Sequence, residues 1–257
     1  MTLKVFITGA SSGIGEALAV YYAARGARLG LVGRRSASLA ALNQRLGGQH
    51  ACYPLDVGDA VAVHDAATDF IARCGVPDVV IASAGVSVGT LSEFAEDLAV
   101  FRRLMETNVF GMAASFAPFI PAMLAAGGER RLVGIASVAG IRGLPGAEAY
   151  SASKAAVISY LESLRLELRP AGIKVVTLVP GYIATPMTAV NTYAMPFLLT
   201  ADEAAERFAR AIAGGVSYAV IPWQMGIVAK LLRLLPNWLY DRLFSGAPRK
   251  PRGLPIN

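Results

Sequence analysis

Cysteine, histidine and charged residues are scarce in this sequence of 257 residues. It contains two cysteines and two histidines, and only 16% of its residues are charged. Two thiols in a chain of this length do not make a disulfide scaffold, and they favour a reducing compartment. No Cys/His cluster has the spacing of metal ligands, so we expect no metal site and place His50 and His64 outside any site.

Long apolar runs and a leader segment are also missing. No apolar stretch reaches the ~20 residues that a membrane-spanning helix needs. The N-terminus, "MTLKVFITGASSG", has a short apolar run followed at once by glycine-rich loop chemistry, which does not fit a cleavable signal. We therefore expect a cytoplasmic protein, and its 54% of hydrophobic residues are enough for a substantial core.

Positive charge is concentrated near the C-terminus. The formal net charge is +6, and from Lys230 onward six basic residues stand against Asp241 alone. The preceding residues are therefore nearly neutral as a group. Because the basic charge belongs to one terminal segment, it does not indicate a nucleic-acid partner.

Apolar runs of strand length alternate with segments of helix length. The predicted strands are 3–8, 27–33, 50–56, 78–84, 130–137, 173–179 and 217–222, and the predicted helices are 13–25, 36–46, 59–74, 97–126 and 150–169. Several strands are continuous Val/Ile/Leu runs, which is typical of parallel strands buried on both faces. The order predicts one α/β domain over 1–222, a Rossmann-like doubly wound parallel sheet of about seven strands with helices on both faces.

The segment "TGASSGIG" (8–15) joins the first predicted strand to the first predicted helix. Gly9, Gly13 and Gly15 allow a tight turn, a close approach of the backbone to a pyrophosphate, and packing of the helix on the sheet. The free N–H groups and the positive dipole end of the helix would then face the phosphates. This context favours dinucleotide binding over a plain glycine-rich turn.

The second predicted strand ends in "LVGRR", which places Arg34 and Arg35 where a NAD site usually has an acidic residue. A carboxylate at that point holds the ribose 2′-hydroxyl, whereas a guanidinium can bind a 2′-phosphate through paired hydrogen bonds. The pattern favours NADP(H) as the cofactor. The alternative is a pair of solvated arginines at the end of a strand.

Tyr150 and Lys154, in "AYSASKAAV", share one face of a predicted helix. A nearby cation lowers the pKa of a phenol, which can then exchange a proton with a carbonyl or alcohol oxygen near neutral pH. Ser137, at the end of the strand "LVGIAS", can donate a hydrogen bond to the same oxygen. Alone, the tyrosine–lysine spacing could arise by chance. With the serine and the glycine loop it indicates a catalytic site.

Together these motifs resemble those of the classical short-chain dehydrogenase/reductase family, over roughly residues 3–222. The resemblance implies that Asn108, in "ETNVFG", completes a catalytic tetrad by binding main chain and an ordered water. It also implies that Asp56, in "LDV", lies beside the adenine and that "PGYIAT" (180–185) passes the nicotinamide. The family's usual "NAG" is "SAG" here, where Ser83 replaces a bracing asparagine. The implied cofactor contacts are Gly9, Ser11, Ser12, Gly13, Ile14, Gly15, Arg34, Arg35, Asp56, Val57, Ala84, Gly85, Tyr150, Lys154, Pro180, Gly181, Ile183 and Thr185.

The resemblance implies the reaction as well. NADPH would deliver hydride to a carbonyl carbon while Tyr150 protonates the oxygen, Ser137 polarises it, and Lys154 binds the nicotinamide ribose. The reverse reaction oxidises a secondary alcohol. We therefore expect an NADP(H)-dependent oxidoreductase. Two alternatives stay open: a 3-oxoacyl-thioester reductase of fatty-acid metabolism, and a non-catalytic NADP(H)-sensing or membrane-peripheral scaffold protein.

The predicted substrate loops, 86–91, 138–146 and 182–200, are mostly apolar. The third has the character of a mobile lid that could cover a greasy ligand. We therefore expect an apolar carbonyl or alcohol substrate, although these loops could instead pack against each other. The expected substrate contacts are Ser137, Leu144, Tyr150 and Tyr182, and the expected covering residues are Met187, Met195 and Phe197.

Residues 223–257 form a basic, apolar C-terminal extension beyond the resemblance. Within 223–244, two tryptophans and scattered basic residues lie beside leucine-rich faces, a composition typical of an interfacial membrane segment. Pro236 is expected to break this stretch into two short helices. Peripheral membrane contact is one alternative, and packing on the protein's own surface or on a partner subunit is the other. The resemblance implies a homodimer or homotetramer formed through helices near 97–126 and 150–169.

Overall fold

A computed structural model of the chain describes residues 2–254, and its centre is one seven-stranded sheet. The strands are β1 (Lys4–Thr8), β2 (Arg28–Gly33), β3 (Ala51–Pro54), β4 (Val79–Ala82), β5 (Arg130–Ile135), β6 (Ile173–Pro180) and β7 (Tyr218–Ile221). Their order is β3-β2-β1-β4-β5-β6-β7, and every neighbouring pair is parallel. The predicted doubly wound sheet is confirmed. Its order reverses between β1 and β4, where ligands bind at the carboxyl ends of the strands.

Helices cover both faces of the sheet. They are α1 (Gly13–Ala23), α2 (Ser36–Arg45), α3 (Ala60–Cys74), α4 (Asp97–Met105), α5 (Gly111–Phe116), α6 (Ile120–Ala126), α7 (Glu148–Leu168), α8 (Pro186–Ala189), α9 (Ala201–Ala213), α10 (Trp223–Leu234) and α11 (Asn237–Phe244). Successive side chains of a strand point to opposite faces. Accordingly Ile7 of β1 packs in a core with α1, α2 and α9, whereas Phe6 packs in a second core with α3, α5 and α7.

The long helix predicted over 97–126 is interrupted. A π-helical turn, Glu106–Phe110, separates α4 from α5, and a further break separates α5 from α6. This run, Asp97–Ala126, is long and apolar enough to cross a membrane by length and composition alone, so the expectation that no stretch reaches that length is wrong. Packing accounts for part of the composition, because Phe116 and Phe119 are fully buried in the core. Exposed apolar residues such as Leu98 and Phe110 account for the rest.

The C-terminal extension folds back on its own chain. Pro236 separates α10 from α11, as predicted. Arg142, in the loop after β5, donates hydrogen bonds to the carbonyl groups of Leu232 and Leu235, the latter at 2.7 Å. The same guanidinium lies 3.9 Å from the centroid of the Tyr240 ring, whose hydroxyl donates to the Gly143 carbonyl at 2.5 Å. One side of the extension is therefore anchored to a predicted substrate loop.

The other side of the extension carries apolar side chains in contact with solvent. Residues three or four positions apart in a helix share a face. The exposed residues at this spacing on α10 are Trp223, Ile227, Leu231 and Leu234, and together with the exposed Trp238 of α11 we name them the outer stripe. Met225 and Ala229, on the opposite face of α10, are buried. The helix therefore exposes an apolar face while a second face packs on the domain.

Candidate active site

The glycine-rich loop between β1 and α1 requires glycine at two close approaches. Gly9 has a φ of +70°, and a Cβ there would lie 2.7 Å from the Cα of Ala84. A Cβ on Gly15 would lie 2.3 Å from the carbonyl oxygen of Gly9. Any larger residue at either position would push the loop away from β4 or from the start of α1.

This loop forms one wall of a cleft of about 360 Å³ at the carboxyl ends of the strands. Ser12 caps α1 without a side-chain hydrogen bond to the helix, so its hydroxyl does not satisfy the first N–H groups. Those groups and the helix dipole are suited to a phosphate. Most of the predicted cofactor residues line the cleft: Gly9, Ser11, Ser12, Gly13, Ile14, Gly15, Arg34, Arg35, Asp56, Val57, Ala84, Gly85, Tyr150, Lys154, Pro180 and Thr185.

Thr107 gives a further sign that the cleft holds a polar ligand. Its side chain lines the cleft, is 5% exposed, and its hydroxyl is buried without a hydrogen-bond partner in residues 2–254. Buried polar groups are nearly always hydrogen-bonded, so an unpaired one at a ligand cleft is readily explained by the ligand. The unpaired Thr107 hydroxyl and the free N–H groups at the start of α1 are hydrogen-bonding groups that fit a nicotinamide dinucleotide.

A second cavity, of about 400 Å³, lies at the amino ends of the strands and is lined in part by Lys4, Arg28 and His50. It contains none of the predicted site residues. Open parallel sheets bind ligands at the opposite edge, so we assign function to the carboxyl-edge cleft.

The end of β2 carries the two predicted arginines. Arg35 donates from Nη2 to the Ser11 carbonyl at 3.1 Å, which keeps its guanidinium against the glycine loop. Arg34 lies 4.0 Å from the Asp56 carboxylate, which also forms an ion pair with Arg103 of α4. Burial alone would raise the pKa of Asp56, but the Gly58 N–H and Arg103 lower it below its usual value. Arg103 is distant in sequence and was not predicted.

Helix α7 places Tyr150 and Lys154 one turn apart on the cleft wall. The Lys154 ammonium donates to the Ile135 carbonyl at 2.8 Å. Burial lowers the pKa of Lys154 to about 8. Burial raises the pKa of Tyr150, and a hydrogen bond with Ser137 only partly offsets this. This corrects the expected direction: the pKa of the phenol is raised and not lowered, because the largest effect on it is its removal from water.

Ser137 stands directly after the turn of β5 into the substrate loop. It caps a short 3₁₀ turn, Val138–Gly140, and its Oγ accepts from the Ala139 N–H at 3.2 Å. It is 8% exposed and reaches the site through its hydrogen bond with Tyr150. The serine and the phenol are therefore brought together as predicted, although the serine does not itself line the cleft.

Asn108 lies in the π-helical turn and connects two parts of the site. Its side chain accepts from the Val86 N–H at 2.8 Å and donates to the Val86 carbonyl at 3.0 Å. It also donates to the Ser153 hydroxyl at 3.0 Å, which in turn donates to the Tyr150 carbonyl at 2.8 Å. The amide thus ties the segment after β4 to the helix that carries the phenol, in keeping with the implied main-chain binding.

Four predicted contacts shape loops and do not line the cleft. Gly181 packs against Met225, and a Cβ on that glycine would lie 2.7 Å from the Met225 side chain. Tyr182 and Ile183 pair with Leu199 through a short bridge at the base of the lid. The Leu144 N–H donates to the Ser151 hydroxyl at 3.3 Å. Their predicted contacts with cofactor or substrate stay predictions.

Several residues of the site were not predicted. Ser83 of "SAG" lines the cleft, and the Ala84 N–H is 3.4 Å from the Thr8 hydroxyl. In the lid, the Tyr193 ring lies 6.4 Å from that of Tyr182. Burial raises the pKa of Tyr193, and the neighbouring phenols of Tyr182 and Tyr150 raise it further. The available signal was a second tyrosine, besides Tyr182, in the predicted lid. The cleft is also lined by residues of the predicted substrate loops, namely Val86, Ser87 and Val88 of 86–91 and Pro186 and Met187 of the lid, and Met187 is one of the expected covering residues. The other unpredicted lining residues are Gly33, Leu55, Thr107, Ile135 and Ala136.

The extension also reaches the site through residues 249–254, which we name the closing segment. Lys250 donates to the Ser87 hydroxyl at 3.0 Å and to the Met187 carbonyl at 3.1 Å. The Gly89 N–H donates to the Pro251 carbonyl at 3.0 Å. Leu254 packs with a small core that includes Tyr150. No sequence pattern predicted this contact. Residues 255–257 of the predicted extension lie outside the described residues.

Comparison with known proteins gives a consistent family. A family model described as short chain dehydrogenase matches residues 3–195. A Myxococcus xanthus protein described as an "Uncharacterized oxidoreductase" is 39% identical over 241 residues, covering 91% of this chain and 93% of that protein. A short chain dehydrogenase/reductase from Burkholderia phymatum, solved with NAD, has a TM-score of 0.82, 25% identity and coverage of 98% of both chains. A short chain dehydrogenase from Burkholderia cenocepacia, solved with NADP, has a TM-score of 0.81, 27% identity and coverage of 94% and 97%.

Proposed function

The chain belongs to the short-chain dehydrogenase/reductase family, and from that premise we propose that it is an NADP(H)-dependent oxidoreductase that reduces the carbonyl group of an apolar substrate or oxidises the matching secondary alcohol. One observation carries the proposal. Tyr150 and Lys154 lie one helical turn apart on the cleft wall, and Ser137 is hydrogen-bonded to the phenol.

Tyr150 acts as the proton donor to the carbonyl oxygen. Because burial raises its pKa, the phenol keeps its proton at neutral pH and has it available for reduction. In the oxidation direction the phenol must first lose that proton, so the same shift favours reduction near neutral pH. The Ser137 hydroxyl, next to the phenol, is suited to donate a hydrogen bond to the substrate oxygen.

NADPH, when bound, supplies the hydride. The protein's own role is to hold and orient the cofactor. The ammonium of Lys154 borders Gly85, with 3.6 Å between Nζ and the position of an added Cβ, and would hold the nicotinamide ribose. The N–H groups at the start of α1 would bind the pyrophosphate.

Arg35 supports NADP(H) as the preferred cofactor. It lines the cleft beside the phosphate loop, where a guanidinium can bind a 2′-phosphate. Asp56, whose carboxylate also lines the cleft, forms ion pairs with Arg34 and Arg103, which reduce its repulsion of an added phosphate. The related structures with NAD and with NADP leave this choice to the local charges of this chain.

An apolar substrate is supported by the side chains around the phenol. Val86 and Val88 are buried and pack in one small core with Tyr150 and Leu254. Val86, Val88 and Met187 all line the cleft. A 3-oxoacyl thioester remains the main alternative substrate, because the same proton donor and hydride would reduce it.

The decisive experiment compares Tyr150→Phe with the wild type on a panel of acyl thioesters, steroids and simple ketones. We expect turnover to fall by ~10²–10⁴-fold, since the phenol is the general acid, while NADPH binding by fluorescence stays unchanged. Tyr160→Phe, on the same helix but outside the cleft, is the matched control. Unchanged turnover in Tyr150→Phe would refute the mechanism. NADPH binding with no turnover of any substrate would instead favour the sensing alternative.

The outer stripe bears on where the protein lies in the cell, because it is an exposed apolar surface. We propose a cytoplasmic protein that docks on an anionic membrane surface through this stripe. Tryptophans lie at both ends of the stripe, and the exposed residues Lys230, Arg233 and Arg242 flank it against the single acid Asp241. Interfacial tryptophan and basic residues beside an apolar face suit anionic headgroups.

A homo-oligomer is proposed on a different surface. Leu98 and Phe110, on the helical run before β5, are 70% and 51% exposed, and Leu166 of α7 is 57% exposed. These large apolar side chains are exposed on α7 and on the helical run that packs against it, and such exposure favours a partner subunit over solvent. These are the helices that the family resemblance assigns to the interface.

A further inference from the structure

Two of the three cations in the closing segment, Lys250 and Arg252, have different surroundings. Arg252 is neutralised: it pairs with Asp97 at 2.8 Å and with Glu96 at 3.4 Å, and stacks at 3.5 Å on the Phe94 ring. Lys250, only two residues earlier, has no carboxylate within 4.0 Å among residues 2–254. Glu96 and Asp97 are thus paired with the arginine, and within residues 2–254 no acidic side chain pairs with the lysine.

The Lys250 ammonium is partly buried and bonded only to neutral oxygens. It uses two donors, to the Ser87 hydroxyl and the Met187 carbonyl, and a lysine has three. Burial lowers the pKa of Lys250 to about 8, which reports its loss of water. A cation withdrawn from water without an anion is unfavourable, and an anionic ligand would remove that cost.

Thr90, beside the closing segment, is a second buried polar residue whose side chain has an unused hydrogen-bonding group. It follows Gly89, whose N–H donates to Pro251, and its own N–H donates to the Gly146 carbonyl at 3.2 Å. Its side chain is 1% exposed, and its hydroxyl has no hydrogen-bond partner in the part of the chain that the structure describes. Two polar groups near this segment therefore retain unused bonding capacity.

We propose that Lys250 binds a carboxylate of the substrate, so that the substrate is an apolar carbonyl compound carrying one acidic group. Both hydrogen-bond partners of Lys250, Ser87 and Met187, line the cleft that contains Tyr150. The cleft is also lined by the apolar Val86 and Val88, and Leu254 packs against the same small core as Tyr150. This inference rests on the proposed function and narrows its substrate class.

A purely mechanical role for Lys250 is not required by the contacts. The closing segment is already held by the Pro251–Gly89 hydrogen bond and by the Arg252 ion pairs. A latch would also work with a neutral donor, because both acceptors of Lys250 are neutral. The contacts therefore explain a hydrogen-bond donor at position 250 but not a charged one, and an anionic ligand would explain the charge.

The test is a binding titration of the NADPH-loaded full-length enzyme, followed by NADPH fluorescence. The ligands are decanoate and 1-decanol, which share a chain but differ in charge. The variants are Lys250→Gln, which keeps a donor but removes the charge, and Lys250→Arg, which keeps the charge. Lys230→Gln, an exposed cation on α10, is the matched control.

We expect Lys250→Gln to weaken decanoate binding by roughly tenfold or more, the usual worth of a charged hydrogen bond, and to leave 1-decanol within about twofold. Lys250→Arg and Lys230→Gln should bind decanoate nearly as the wild type does. Equal loss of both ligands in Lys250→Gln would overturn the proposal in favour of a latch. Unchanged decanoate affinity, or a wild-type enzyme that does not bind decanoate, would overturn it as well. Failure of the proposed function would appear separately, as absent NADPH binding or as an active Tyr150→Phe enzyme.

Discussion

The ammonium nitrogen of Lys154 lies 5.9 Å from the centroid of the Tyr150 ring. The lysine is held at that distance by the Ile135 carbonyl at the end of β5. Its position is thus fixed by the sheet and does not depend on the phenol. The charge is placed between the phenol and Gly85, where it can serve the ribose of the cofactor as well as the proton donor.

Lys154 should make stability depend on pH. Burial lowers its pKa from 10.5 to about 8, so between those values the unfolded chain binds the proton that the folded chain has lost. Stability should therefore rise with pH across this window and be lower below it. Relative to Lys154→Met, the wild-type free energy of unfolding should increase by up to ~3 kcal/mol from pH 8 to pH 10.5. Urea unfolding followed by circular dichroism at several pH values measures this. Lys250 titrates in both proteins, so it cancels, and parallel pH profiles would contradict the prediction.

Arg35 should discriminate between the two cofactors. Arg35→Ser is expected to raise the Kd for NADPH by roughly tenfold or more, through loss of a charge-assisted hydrogen bond to the 2′-phosphate, and to change the Kd for NADH little. Fluorescence titration of both cofactors gives the comparison. Arg28→Ser, at the exposed opposite end of β2, serves as the control. A parallel weakening of NADPH and NADH would mean that Arg35 supports the loop without recognising the phosphate.

The sequence was sufficient for the sheet and for the residues near its carboxyl edge. Continuous apolar strands separated by helices allow only a parallel sheet covered on both sides, and "TGASSGIG" follows the first of them directly. Arg103, Tyr193 and Lys250 could not be found in this way. Each reaches the site through tertiary packing of a segment distant in sequence, and neither periodicity nor spacing encodes such contacts. The direction of the Tyr150 pKa was wrong for the same reason, because it depends on burial.

Arg142 should anchor the C-terminal extension. Arg142→Ala removes the donors to Leu232 and Leu235 and the stacking on Tyr240. We expect a loss of ~1–3 kcal/mol of stability, together with faster proteolysis within 235–244. Arg165→Ala, which removes only a 4.0 Å surface pair, should change neither. Limited proteolysis with mass spectrometry locates the cleavage, and a cleavage pattern identical to the wild type would argue against this anchor.

The outer stripe should determine binding to membranes. Combined replacement of Trp223, Leu231 and Trp238 by serine is expected to reduce co-sedimentation with phosphatidylserine-containing vesicles by roughly tenfold or more, because apolar burial drives the association. Val61→Ser, which changes an exposed valine on α3, is the control. Neutral vesicles should bind the wild type more weakly than anionic ones. If the triple variant changed the mass in light scattering but not vesicle binding, the stripe would be a contact between subunits.

Phe110 and Leu166 should lie in the subunit interface. Glu at both positions would place two carboxylates in an apolar contact between subunits. Burying an unpaired charge is strongly unfavourable, so the substitutions should destabilise the oligomer. We expect light scattering to show a shift of the wild-type oligomer towards monomer. Val61→Glu, on an exposed face elsewhere, should leave the mass unchanged. An unaltered mass in the double variant would place the interface on another surface.

The π-helical turn at 106–110 has a consequence for relatives that differ in length. A π turn holds one more residue than an α-helical turn and projects the side chains within it in new directions. Deleting one residue there would restore an ordinary α-helix while the flanking helices kept their orientation on the sheet. Such a relative would keep the fold yet lose the amide that joins Val86 to Ser153. A one-residue gap at this point of an alignment would therefore mark proteins whose chemistry has diverged.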